Sequence, residues 1–129
     1  MQDEPTPIEL LDAVITYLRD ELMPELSGRS AFLTRVSANA CDIVRRHLEN
    51  AAGYDAAEMA RLTALLKTTG TLEELNRDLC TRIEQGAMTL DTPGLTDHLW
   101  ATTIEKVSVD QPQYAPYRRA LKTFQAKNS

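Results

Sequence analysis

Thr71-Leu72-Glu73-Glu74-Leu75-Asn76-Arg77-Asp78-Leu79-Cys80-Thr81-Arg82-Ile83 reads as a helix from its first residue. Thr71 followed three places later by Glu74 is a capping box: the threonine hydroxyl accepts from the third helical N–H, and the glutamate reaches back to the threonine N–H. Leu72, Leu75, Leu79 and Ile83 then recur on one face at helical spacing, and Gly86 ends the run. The same signature stands at Thr6-Pro7-Ile8-Glu9, with proline at the first helical position, where its missing N–H costs nothing. Behind it Ile8, Leu11, Val14, Ile15, Leu18 and Leu22 form a helical face, which Pro24 stops ahead of Ser27-Gly28.

The stretches around these two helices follow the same rule. A second helix is expected from about Arg29 to Asn50, with Phe32, Val36, Ala40, Ile43 and His47 on its inner face and Gly53 as its break. A third covers about Asp55 to Thr68, with Leu62, Leu65 and Leu66 inside and Gly70 closing it. Asp91-Thr92-Pro93-Gly94 serves as turn and helix start. The helix after it runs to about Val109 and buries Leu99, Trp100, Thr103, Ile104 and Val107. Pro112 and Pro116 bracket an irregular stretch around Tyr114, and a last helix, about Tyr117 to Ala126, carries Leu121 and Phe124. No segment alternates as a strand does. The expectation is all-α: an up-and-down helical bundle of five to six helices, one domain over 1–129, with Val36, Ile43, Leu75, Leu79, Leu99 and Ile104 in its core.

Composition narrows the function classes. At 129 residues the chain can bury a core without disulfides or metal. A net charge of −5 argues against nucleic acid, which needs a clustered positive field. The charge is uneven: up to Asp110 ten basic residues face all nineteen acids, and beyond it stand only Arg118, Arg119, Lys122 and Lys127. This basic tail, from about 117, reads as a solvated helix end or as a docking patch for an anion. No apolar run suits a signal peptide or a membrane span, so a cytoplasmic protein with reduced thiols is expected. Cys41 and Cys80, mid-helix near apolar faces, read as packed and inert.

Catalytic signatures are missing. The five glycines are isolated and build no phosphate loop. His47 and His98 stand on different helices without paired metal-ligand spacing. No catalytic residue, cofactor or metal is therefore assigned. Two polar features stand out. Arg35, Asn39, Asp42 and Arg46 share one flank of the second helix, as an internal ion-pair stripe or as a face for a partner or ligand. Lys106, Asp110 and Tyr114 close the fifth helix, and a tyrosine there either packs its ring or anchors a partner. Arg35, Asn39, Lys106, Asp110 and Tyr114 are the candidate recognition residues.

Several stretches in order resemble a small bacterial all-helical family of unknown function: Pro5-Thr6-Pro7-Ile8-Glu9-Leu10-Leu11-Asp12-Ala13-Val14, Ala31 through Asn39, Leu72-Glu73-Glu74-Leu75-Asn76, and His98 through Lys106 to Tyr114. Such proteins are typically encoded beside aminoglycoside-phosphotransferase-like kinases and acyl-CoA dehydrogenases. The small accessory protein of the hydroxyacyl-CoA kinase of levulinate catabolism looks like a member. The resemblance implies a non-catalytic accessory subunit for such a kinase, encoded nearby. It brings no catalytic residues. The alternatives are an acyl-CoA-binding helical module and a self-associating structural protein.

Overall fold

The structure, a computed structural model, describes residues 4–127, and of residues 124, 125 and 127 only the backbone. Phe124, expected inside the last helix, and the charge of Lys127 therefore lie outside the described side chains. Every element among the described residues is helical: α1 (Pro7–Thr16), a π-helical turn (Tyr17–Leu22) and a 3-10 turn (Met23–Glu25), α2 (Gly28–Leu66), α3 (Leu72–Glu84), α4 (Leu95–Asp110) and α5 (Ala115–Lys127). No described helix is long and apolar enough to cross a membrane. The chain divides into two compact units, Met1–Ala51 and Ala52–Ser129, and α2 contributes to both.

Both capping boxes form. Thr6 donates its N–H to Glu9 Oε2 at 2.7 Å and its Oγ1 accepts from the Glu9 N–H at 3.3 Å. Thr71 and Glu74 repeat the exchange at 2.8 and 3.2 Å. The hydrogen bond from the threonine backbone holds each glutamate below its ordinary pKa, with the threonine side chain adding to it.

The two helices expected on either side of Gly53 are one. α2 runs 39 residues through Gly53, and no atom lies within 4 Å of the Cβ an alanine would carry there. An interior glycine costs a helix only about 1 kcal/mol relative to alanine, and Ala51, Ala52, Ala56 and Ala57 around it are strong helix formers. The true end comes at Lys67, left-handed at φ 57°, rather than at Gly70. Arg82, itself paired with Asp78, donates to the Leu66 carbonyl at 3.3 Å and satisfies one of the open acceptors of that end.

In the second unit Leu62 and Leu66 of α2, Leu75 and Leu79 of α3, Met88 and Leu95 form one core, flanked by Met59, Leu65 and Leu72. Gly94 opens α4 at φ 86°, and a Cβ there would stand 3.6 Å from Leu65. A left-handed N-cap in contact with the core suits glycine. The expected core is corrected at two positions: Leu99 and Val36 are exposed, at 40% and 46%. Ile83, read on the inner face of α3, is exposed as well. Ile43 and Ile104 are half-buried.

In the first unit the face of α2 expected inside is outside. Phe32, Val36, Ala40 and His47 are exposed, and the buried residues among those described are Ile15 and Ala38. Arg19 of the π turn reaches Asp42, and Asp12 of α1 reaches Arg45 at 3.3 Å. The ion pairs of α2 with α1 and the π turn thus run along Asp42 and Arg45, on the side of the buried Ala38, a small and polar stripe that hydrophobic periodicity passes over. Cys41 is half-buried, but Cys80 is exposed and not packed as expected.

Candidate functional site

Four side chains of α4, Trp100, Thr103, Ile104 and Val107, face Tyr114 and the start of α5 across a groove of about 180 Å³, whose far wall is Pro116, Tyr117 and Ala120. The local sequence builds it. α4 ends at Asp110, a turn closes with the Tyr114 N–H donating to the Gln111 carbonyl at 3.0 Å, and Pro116 fits the first turn of α5, where no N–H is needed. The walls are apolar. Trp100 and Tyr114 are 51% and 52% exposed, so two large rings stand half open to solvent at the groove. Lys106 and Asp110 are exposed on the same helix. On α4 as well, Ser108 Oγ meets the Tyr54 hydroxyl of α2 at 3.0 Å. Burial pushes the Tyr117 phenol up, and Tyr54 nearby adds to that.

A second polar group lies inside the same unit. Arg61 of α2 binds both oxygens of Glu105 on α4, at 2.9 and 2.7 Å, and Thr102 Oγ1 at 3.3 Å. Glu58, one turn earlier on α2, accepts from Asn76 of α3 at 2.8 Å. His98 is 3% exposed, and its Nδ1 has no hydrogen-bond partner; neither does Arg61 Nε. Burial lowers the His98 pKa; Arg61 and Lys106 lower it further, and Glu58 and Glu105 oppose them. The cluster joins α2 to its neighbours, through Arg61 to Thr102 and Glu105 on α4 and through Glu58 to Asn76 on α3. Sequence reading passed over it. Spacing puts Glu58 and Arg61 beside Leu62 on one helix, and His98, Thr102 and Glu105 four and three residues apart on another, but nothing in it brings the two sets together. Among the described residues no group of histidine, cysteine or acid side chains could hold a metal ion.

The candidate residues on α2 belong to the first unit. Asn39 Oδ1 accepts from Arg19 at 3.0 Å, and the same guanidinium reaches Asp42 at 3.0 Å. Asp42 also takes Arg45 at 2.8 Å and Arg46 at 3.3 Å. Burial pushes the Asp42 carboxyl up, but Arg45, Arg19 and Arg46 together outweigh it and hold the carboxyl below its usual range. Arg35 lies over the Phe32 ring, 5.6 Å from its centre, at the edge of the exposed α2 face. Lys106, Asp110 and Tyr114 belong to the second unit, and of these Tyr114 lines the groove. Trp100, read as core with Thr103, Ile104 and Val107, is one of the groove residues the sequence missed. Its place on the apolar face of α4 gave no sign that the face would stay partly open.

Residues 24–114 match the model of a protein family described as a domain of unknown function (DUF6285). The match takes in α2, α3 and α4 and leaves out α1 and α5. No curated protein and no solved structure matches the chain.

Proposed function

The chain belongs to the DUF6285 family, and from that premise we propose that it is the non-catalytic accessory subunit of an aminoglycoside-phosphotransferase-like kinase acting on a hydroxyacyl-CoA in cytoplasmic acid catabolism, as in the breakdown of levulinate. The observation that carries this reading is the aromatic groove between α4 and α5. Two half-exposed rings, Trp100 on α4 and Tyr114 in the turn before α5, are the kind of anchor that dominates protein interfaces. Phosphoryl transfer needs a nucleotide cradle, metal-holding acids and a positioned nucleophile, and in this reading the kinase supplies all of them. The accessory chain binds the folded kinase and stabilises the arrangement it binds. For this role the helices of the second unit are read as an up-and-down bundle, supported by the core that α2, α3 and α4 share.

A second reading, an acyl-CoA-binding module, is favoured by the apolar walls of the groove. Its size weighs against that. About 180 Å³ is below the roughly 300 Å³ at which ligand pockets begin, and suits one inserted side chain or a short acyl group.

The test is co-purification of the chain with the kinase encoded beside it, using wild type, Trp100→Ala and Tyr114→Ala. The expected result is unchanged melting with association weakened by about 2 kcal/mol or more. Normal binding by both variants removes the groove from the interface. A shift in Trp100 fluorescence with a short-chain acyl-CoA, absent the kinase, favours the second reading.

A further inference from the structure

We propose that the exposed apolar stripe of α2 is the interface between two copies of this chain, crossing antiparallel about Ala40. Leu33, Val36, Ala40, Val44 and Leu48 recur at helical spacing, and the four larger ones are 46–49% exposed. The stripe lies opposite Ala38, which is fully buried, and so on the side away from α1. Hydrophobic periodicity marks it as a face to be buried, and within the first unit it stays exposed.

The order of residues identifies the occupant. Val36 and Val44 stand four places on either side of Ala40, and Leu33 and Leu48 stand seven and eight. A two-fold interface requires that if one residue meets a second, the second meets the first. An antiparallel pair of α2 helices satisfies this, with Val36 against Val44, Leu33 against Leu48 and Ala40 against itself. The smallest side chain falls at the crossing, where close approach needs it. Charge fits too. Between Ser30 and Asn50 the charged residues Arg35, Asp42, Arg45, Arg46 and Glu49 all fall off the stripe, and Asp42, Arg45, Arg46 and Glu49 are paired with one another. An interface core is depleted of charge in this way. With Phe32 at the edge, the two copies bury on the order of 1,000 Å², the lower limit for a specific complex, so a concentration-dependent dimer is expected.

The full-length chain is examined alone by sedimentation equilibrium, so the result does not depend on the kinase reading. Wild type is expected to dimerise at micromolar concentration. Ala40→Arg sets two like charges at the crossing and should weaken the dimer about tenfold or more, whereas Leu90→Arg, at an exposed leucine of the second unit, should not. Register is tested by oxidation in a Cys41→Ala, Cys80→Ser background. Ala40→Cys should cross-link to itself, and Val36→Cys should cross-link to Val44→Cys but not to itself. A monomeric wild type, a dimer indifferent to Ala40→Arg, or Val36→Cys pairing with itself overturns the proposal. So does a monomer whose Ala40→Arg variant loses only kinase binding, which would give the stripe to the kinase.

Discussion

Arg61 and Glu105 are joined by two parallel hydrogen bonds, Nη1 to Oε1 at 2.9 Å and Nη2 to Oε2 at 2.7 Å, which tie α2 to α4. Both side chains are mostly shielded, at 25% and 18% exposure. A charge left behind there loses its partner without regaining full hydration. Arg61→Ala should therefore destabilise the protein by about 2–4 kcal/mol. Arg61→Met with Glu105→Leu should recover most of the loss. Urea denaturation of the two singles and the double decides it, and strictly additive losses would show that the two side chains do not act as a pair.

The pH dependence of stability has a sign that His98 sets near neutrality. Burial, first of all, holds its folded pKa below the ordinary 6.5. The unfolded chain therefore takes up the proton more readily than the native one. Stability is complete above pH 6.5 and declines as pH falls below it through the folded pKa. Arg61 and Lys106 act on the ring in the same direction as burial, and Glu58 and Glu105 oppose them. Melting temperature should fall between about pH 7.5 and about pH 5.5, and His98→Gln should flatten that slope whatever it does to overall stability. Asp42, Glu9 and Glu74, whose pKa values are also lowered, act with the same sign but only in the more acid range.

Gly53→Ala should stabilise the chain. The residue is inside α2 with open space where a Cβ would go, so the substitution restricts the unfolded chain without a clash. The expected gain is about 0.5–1 kcal/mol, read from the denaturation midpoint. A loss would mean that the helix bends or opens at this position.

Leu79 and Leu90 separate core from surface in the second unit. Leu79 is 3% exposed and Leu90 is 79% exposed. Leu79→Ala should cost about 2–5 kcal/mol, and Leu90→Ala should stay within about 0.5 kcal/mol of wild type. Equal effects would place the core wrongly.

What the sequence determined by itself is local. The capping boxes at Thr6 and Thr71, the helical faces behind them, and Leu62, Leu66, Leu75 and Leu79 as core were all legible, because capping and 3.6-residue periodicity are set by neighbours in the chain. Tertiary structure decided the rest. Gly53 reads as a break, but an isolated glycine cannot end a helix that alanines support on both sides. Lys67 ends it instead, a residue whose type gives no such signal. Periodicity located an apolar face on the first half of α2 but could not say that α1 would pack on the opposite side, along Ala38, Asp42 and Arg45. Arg19 and Asp12 find long-range partners along that contact, and pairing across helices leaves no trace in spacing along one. The candidate site divides the same way. Tyr114 could be singled out from its place after a helix end, whereas the groove it forms with Trp100, and the buried grouping of Glu58, Arg61, His98 and Glu105, exist only once α4 is set against its neighbours.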